Sequence, residues 1–306
     1  MPSEPAAMRF GIALPTYPSG ATIDGVVAVA QAAERLGFVS AWTTDHVIML
    51  PDEAGPYRDI FEPLLTLAYL AALTERVALG ISVIVVPQRN GIVLAKELAT
   101  LDRLCNGRLI AGVGAGWNEA EFSMLGYADR FRHRGAHLDE TIRVWRHLWT
   151  TPDQAFEGRF YNLPPVAFAP APVQRHGPEI WVGGSSEAAR RRAGRVGAAW
   201  HPVGTPATEL AELAQAVREA ALEADRDMPE IAPRLIMQLG SVPLYPASAG
   251  RAPTLQGEPD EMIENLREYE RAGASEIVCH FGSPHGHVVV EQMERFAAEV
   301  MPAFAH

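Results

Sequence analysis

Eight short apolar runs, each followed by a stretch of helical periodicity, recur along the chain and restrict its fold more than any other feature. They lie at residues 8–14, 39–44, 77–86, 108–113, 179–182, 198–200, 233–242 and 276–281. The run at 77–86 is rich in Val and Ile and lacks polar alternation, so both of its faces must be covered, as in a parallel sheet wrapped by helices. Between the first two runs, Ile23, Val26, Val27, Ala30, Ala33 and Leu36 recur at helical spacing. Thr22 is placed to cap that helix and Gly37 to end it in the left-handed conformation. Further helices are expected over 63–74, 92–103, 118–125, 133–149, 187–195, 207–224, 260–272 and 288–300. Such alternation predicts an α/β fold, and a closed (β/α)8 TIM barrel rather than a doubly wound sheet. A chain of 306 residues accommodates that barrel as one domain, which takes about 250.

Two segments interrupt the alternation. Residues 151–178 are proline-rich, with a strand-like piece at 160–163, and read as an insertion over the barrel. Residues 239–257 contain Pro243, Pro246 and Pro253 and read as a flap. Both are expected to shape the substrate pocket, because long loops in compact domains usually serve function. Residues 1–7 read as a disordered leader, leaving 8–306 as a single barrel domain.

The formal net charge of -11 argues against nucleic acid and anionic membrane as partners, since both call for concentrated Lys and Arg. No window has the uninterrupted apolar length of a membrane span, and no basic stretch leads into an apolar run at the amino terminus. A cytoplasmic protein is therefore expected. Cys105 and Cys279 stand far apart and read as buried free thiols. His280, His285 and His287 lack acidic companions, so no metal site is expected.

Barrel enzymes build their sites from the loops after the carboxyl ends of the strands. The residues there are Asp45 and His46 after the second run, Ser82 within the third, Gly114, Ala115, Gly116 and Trp117 after the fourth, Gly183, Gly184, Ser185 and Ser186 after the fifth, and His201 after the sixth. The Gly-Gly-Ser-Ser turn can aim helix-terminal amides at a phosphate, or it can be a tight turn with a serine cap. His46 can exchange a proton with a substrate or be bonded to its own loop. The turn from Gly114 to Trp117 offers close backbone approach and an aromatic face, but lacks the third glycine of a dinucleotide fingerprint. Arg190, Arg191 and Arg192 point in successive directions around a helix and read as mostly solvated.

Four segments taken together resemble the luciferase-like monooxygenases, and within them the F420-dependent oxidoreductase branch. They are RFGIALPTY, SAWTTDH, residues 74–117 with LGISVIVVPQRN and GRLIAGVGAGW, and IWVGGSSEAARRRAGRVGAAWHPVG. The resemblance implies a bacterial luciferase-like barrel and the deazaflavin coenzyme F420, or FMN, as cofactor. It implies a non-prolyl cis peptide at Ser82–Val83 against the middle of the cofactor ring. It further implies that Gly183, Gly184 and Ser185 hold the cofactor phosphate, that His46 and Gly114 to Trp117 lie near the ring, and that the chain forms a homodimer. The deazaflavin sugar-phosphate dehydrogenases carry a Trp four residues after their active-site His and a Glu after their Gly-rich turn. Here Leu50 and Trp117 stand in those places, which argues against glucose 6-phosphate and leaves His46 as the candidate acid.

The resulting expectation is hydride transfer between F420 and a small organic substrate, with His46 as acid or base. One alternative is a two-component monooxygenase that takes reduced FMN from a separate reductase and uses oxygen. A barrel that binds a cofactor or metabolite without catalysis is the other.

Overall fold

The apolar runs become strands of one parallel sheet, the third of them divided in two. The computed structural model describes residues 7–17, 19–240 and 254–305. In chain order the strands are Arg9–Ala13 (β1), Ser40–Thr43 (β2), Ala78–Ile81 (β3), Ile84–Val85 (β4) and Leu109–Gly114 (β5). A small antiparallel pair, Phe156–Glu157 (β6) and Asn162–Leu163 (β7), comes next. Glu179–Gly183 (β8), Ala199–His201 (β9), Glu230–Ile231 (β10), Arg234–Leu239 (β11), Thr254–Gly257 (β12) and Glu276–His280 (β13) complete the set. The helices are Ile23–Leu36 (α1), Pro63–Ala71 (α2), Gly91–Leu104 (α3), Glu119–Met124 (α4), Arg134–Thr150 (α5), Glu187–Val196 (α6), Ala207–Glu223 (α7), Pro259–Arg271 (α8) and Gly286–Glu299 (α9). Thr22 caps α1 through the Gly25 amide and Gly37 closes it at φ 85°, as the sequence pattern predicts.

The strand order is β10-β9-β8-β5-β3-β2-β1-β13-β11-β12, with β4 beside β5. The seventh run becomes β11, as expected, and a further short strand, β10, precedes it. Strand β10 pairs with β9, whereas β11 pairs with β13. Pro233 lies between them and has no N–H to give a ladder, though its carbonyl accepts from Val278. A bridge from Val203, just after β9, to Arg234 of β11 connects the two sides of the sheet, so it closes into a (β/α)8 barrel. Strand β12, parallel to β11, was not expected from the sequence.

Inside the barrel a layer of Ala13, Trp42, Ile110, Trp181, Ala199, Ala232 and Val278 fills the space beneath the site. Trp42 is the central plug, 4.7 Å from Trp181 and 5.1 Å from His201 between ring centroids. A Cβ on Gly80 would lie 2.3 Å from its ring, which is why that strand position is glycine. Trp42 donates to Ser40, and Ser40 donates to the buried Glu276. Burial pushes the Glu276 carboxyl up to about 7 against the opposing pull of Ser40 and Arg9. Cys105 and Cys279 are free and buried, as expected.

No residue of the segment 151–178 lines the cavity at the strand ends, which corrects the expectation that it shapes the pocket. The Glu140 carboxylate of α5 accepts the amides of Arg159, Phe160 and Tyr161. Asp102 of α3 accepts those of Val173 and Gln174 together with the Gln174 side chain. Lys96 and Arg103 donate to the carbonyls of Ala169 and Ala171. Buried carboxylates on the two helices thus pin the segment to the outside of the barrel. Most of the expected flap, residues 241–253, lies outside the described residues. Among the described residues no helix is long and apolar enough to cross a membrane.

Candidate functional site

A cavity of about 750 Å³ opens at the carboxyl ends of the strands. Its volume falls within the roughly 300–1,000 Å³ common to small-molecule sites. The run at 77–86 breaks into β3 and β4 at Ser82–Val83, where the peptide bond is cis. Val83 stands on the cavity wall between the ends of β5 and β8. A Cβ on Gly114 would lie 2.5 Å from one Val83 methyl, and one on Gly183 would lie 2.6 Å from the other. These glycines therefore make room for Val83, a different role from the close ligand approach that the sequence suggests.

At one pole the chain passes from β8 through Gly183 and Gly184, at φ 107°, into α6. Ser186 caps that helix by accepting from the Ala189 amide. The next amides, of Glu187 and Ala188, belong to the first turn and have no carbonyl partner within the helix. Arg132, Arg134 and Arg192 line the same region. Arg192 is bound to Asp139 at 2.6 Å, while Arg134 donates to the carbonyls of Gly116 and Phe131. The helix terminus and these cations suit an anionic group.

His46 lines the wall beside Tyr57 and Trp117, at ring-centroid distances of 4.4 and 5.9 Å. Its Nδ1 lies 3.1 Å from Oε2 of the buried Glu121 on α4. Glu121 also accepts from the Val47 amide at 2.7 Å and from the Gln88 side chain at 3.1 Å. Burial opposes its ionisation, but the bonds from His46, Val47 and Gln88 outweigh it and hold its carboxyl below the usual range. An ionised Glu121 fixes the proton of His46 on Nδ1 and leaves Nε2 as the ring nitrogen for a molecule in the cavity.

The floor holds Arg234, at the start of β11. It donates to Tyr17 Oη at 2.6 Å and Thr44 Oγ1 at 2.9 Å, with longer contacts to Ser82 and to His280 Nδ1. Burial, reinforced by the Arg234 charge, holds the His280 imidazole well below its ordinary pKa and so neutral.

Residues 8–242, more than half of the chain, match the family model described as luciferase-like monooxygenase. The chain belongs to the luciferase-like monooxygenase family. An F420-dependent glucose-6-phosphate dehydrogenase of Amycolatopsis mediterranei is 29% identical over 281 residues, 90% of this chain and 77% of that one. An FMNH2-dependent dimethylsulfone monooxygenase of Pseudomonas putida is 34% identical over 174 residues, 55% of this chain and 45% of that one. The crystal structure of monooxygenase RslO1 from Streptomyces bottropensis superposes with a TM-score of 0.82 at 25% identity, covering 97% of this chain and 100% of that one. The family thus contains F420-dependent and FMN-dependent oxidoreductases.

In this luciferase-like barrel most of the residues singled out from the sequence share one cavity. Asp45, His46, Ser82, Val83, Gly114, Ala115, Gly116, Trp117, Gly183, Gly184 and Ser186 line it. Asp45 is committed to the protein, accepting from the Val85 amide at 2.8 Å and from Arg89 at 2.7 Å. Ser185 is exposed beside the cavity and is not on its wall. His201 is fully buried behind the wall, where Nε2 meets Ser82 Oγ at 2.7 Å and Nδ1 meets the Ala232 carbonyl. Burial lowers its pKa to about 4, so it is neutral, donating to Ala232 and accepting from Ser82. Arg192 is buried on the cavity wall, which corrects its reading as a solvated charge.

The sequence reading missed Glu121, Arg234, Tyr17 and Arg134. Glu121 sits three residues after its helix cap Asn118 and looks like any first-turn acid. Arg234 carried the stronger signal, since it is the one charged residue in the run at 233–242.

Proposed function

We propose that this protein is an oxidoreductase that transfers a hydride between coenzyme F420 and a small organic substrate, with His46 as the proton-handling residue. The observation that carries the reading is the convergence, in one cavity, of the Val83 bulge, the α6 terminus with its arginines, and a His46 held by an ionised Glu121. The residues fit such a cofactor. Gly114 and Gly183 present a wall on which only the Val83 methyls stand out, a surface suited to a flat ring. Val83, Gly114, Ala115, Gly116 and Trp117 would hold that ring, and Gly183, Gly184, Ser185 and Ser186 its phosphate. Asp45 and Ser82 belong to that wall, and His201 supports it from behind.

When bound, the coenzyme supplies the carbon that gives or takes the hydride. The chain's own residues orient the substrate and restrict water around it. His46 Nε2 delivers a proton to, or removes one from, the substrate atom that changes charge, and Glu121 stabilises the imidazolium. Arg132 and Arg134 make no ion pair among the described residues. Such cations on the cavity wall suit a coenzyme whose tail continues past the phosphate with carboxylates, which favours F420 over FMN. A second reading, a monooxygenase supplied with reduced FMN by a separate reductase, is favoured by the likeness to RslO1 and to the dimethylsulfone monooxygenase. The F420 reading includes a homodimer, for which the exposed Leu65 and Tyr69 of α2 and Val93 of α3 offer apolar side chains.

Two assays separate these readings: anaerobic oxidation of reduced F420 by a panel of carbonyl compounds, and oxygen uptake with reduced FMN. We expect anaerobic deazaflavin turnover that falls about 100-fold or more in His46→Ala, within the range of general acid catalysis. Oxygen uptake with reduced FMN alone would replace the F420 reading with the second. Full turnover by His46→Ala would remove the role given to that residue.

A further inference from the structure

We propose that Arg234 is an anion-recognising residue and that the substrate carries a carboxylate on an apolar body. Arg234 is 5% exposed and lines the cavity. Its partners are the hydroxyls of Tyr17, Thr44 and Ser82, the Ser82 carbonyl, and the ring nitrogen of His280. None of them carries a negative charge, and Arg234 makes no ion pair among the described residues. Among the described residues one other arginine is as deeply buried, Arg192, and it has a counter-charge. Arg89 is paired with Asp45 and Glu62, and Arg192 with Asp139. A buried guanidinium without a counter-charge is costly, and its attraction for an arriving anion is strengthened by the low-dielectric surroundings.

The geometry leaves room for that anion to take over donors. Three of the Arg234 contacts, to Ser82 O at 3.3 Å, Ser82 Oγ at 3.4 Å and His280 Nδ1 at 3.4 Å, exceed the ordinary hydrogen-bond range of about 2.7–3.2 Å. A carboxylate accepts from a guanidinium through two parallel bonds and would outcompete such long contacts. Position assigns the anion to substrate rather than to the cofactor phosphate. Tyr17, Thr44, Arg234 and His280 follow or occupy β1, β2, β11 and β13, whereas the helix terminus suited to phosphate follows β8. A single cation at the floor matches a monoanion better than a phosphate monoester. Tyr17, Tyr57 and Ile236 line the same cavity and supply apolar surface for the rest of the molecule.

The inference rests on the reading of this cavity as an oxidoreductase site, but its test does not involve a cofactor, so the two fail separately. Benzoate, phenylacetate and hexanoate, each beside its neutral amide, are titrated into the cofactor-free protein by calorimetry. We expect at least one acid to bind at one site, tenfold or more tighter than its amide. That preference should disappear in Arg234→Met and return in part in Arg234→Lys, with thermal unfolding establishing that both variants fold. If Arg234→Met does not fold, the wild-type preference and the Arg234→Lys titration still decide. Equal binding of acids and amides, no binding of any acid, or undiminished acid binding by a folded Arg234→Met would overturn the proposal.

Discussion

Replacing Gly183 by Ala tests how the cavity wall is built. The added Cβ would lie 2.6 Å from Val83 Cγ1 and 3.3 Å from Cγ2, against a favourable carbon separation of about 3.5–4.0 Å. Val83 cannot rotate away freely, because the Gly114 side approaches its Cγ2 so closely that a Cβ there would be 2.5 Å distant. The isopropyl group is therefore wedged between two glycines, and the substitution should cost about 2–3 kcal/mol, the upper part of the range for overpacking. In a Val83→Ala background the γ carbons are gone, and the same substitution should cost less than about 1 kcal/mol. Urea unfolding of the wild type, the two single variants and the double variant measures this coupling, expected at about 2 kcal/mol. Additive effects, or a neutral Gly183→Ala, would refute the account of why these positions are glycine.

Glu276 has a carboxyl raised from 4.5 to about 7, chiefly by burial, so the folded protein binds more protons than the unfolded chain between those values and this group's contribution falls as pH rises through that window. The advantage of Glu276→Gln over wild type in chemical unfolding should therefore grow from about pH 5 to pH 8, toward about 3 kcal/mol at 1.36 kcal/mol per pKa unit; a constant difference would contradict it. Glu121 shows the opposite sign, because its bonds from His46 and Val47 overcome burial and lower its pKa. Glu121→Gln should cost roughly 1–3 kcal/mol at neutral pH, with the deficit shrinking as pH falls below the ordinary carboxylate value of 4.5. Asp102→Ala leaves the amides of Val173 and Gln174 without their acceptor and should release the 151–178 segment, costing roughly 3 kcal/mol and opening it to limited proteolysis. Unchanged protease resistance would count against the pinning described above.

The sequence carried the barrel because its signal is repeated. Eight apolar runs and their helices each report the same architecture, and Thr22 and Gly37 mark their helix ends through purely local chemistry. It carried the strand-end residues for a similar reason, since a parallel barrel brings His46, Gly114 and Gly183 to one face. What escaped was everything that depends on a partner distant in sequence. Glu121 becomes meaningful only beside His46, 75 residues away, and Arg234 only among Tyr17, Thr44 and His280. The proline-rich stretch at 151–178 resembled a pocket cover because its anchors, Asp102 and Glu140, sit within helices whose periodicity gives no hint of a buried carboxylate. His201 lies at a strand end like the others, yet it turns behind the wall to hold Ser82.

The most direct test of the central claim is equilibrium binding of the purified protein to F420 and to FMN, each in oxidised and reduced form, followed by fluorescence or calorimetry. The account predicts saturable binding selective for F420 and weakened by replacing Arg134. Selective binding of reduced FMN, or binding of neither cofactor, would contradict it.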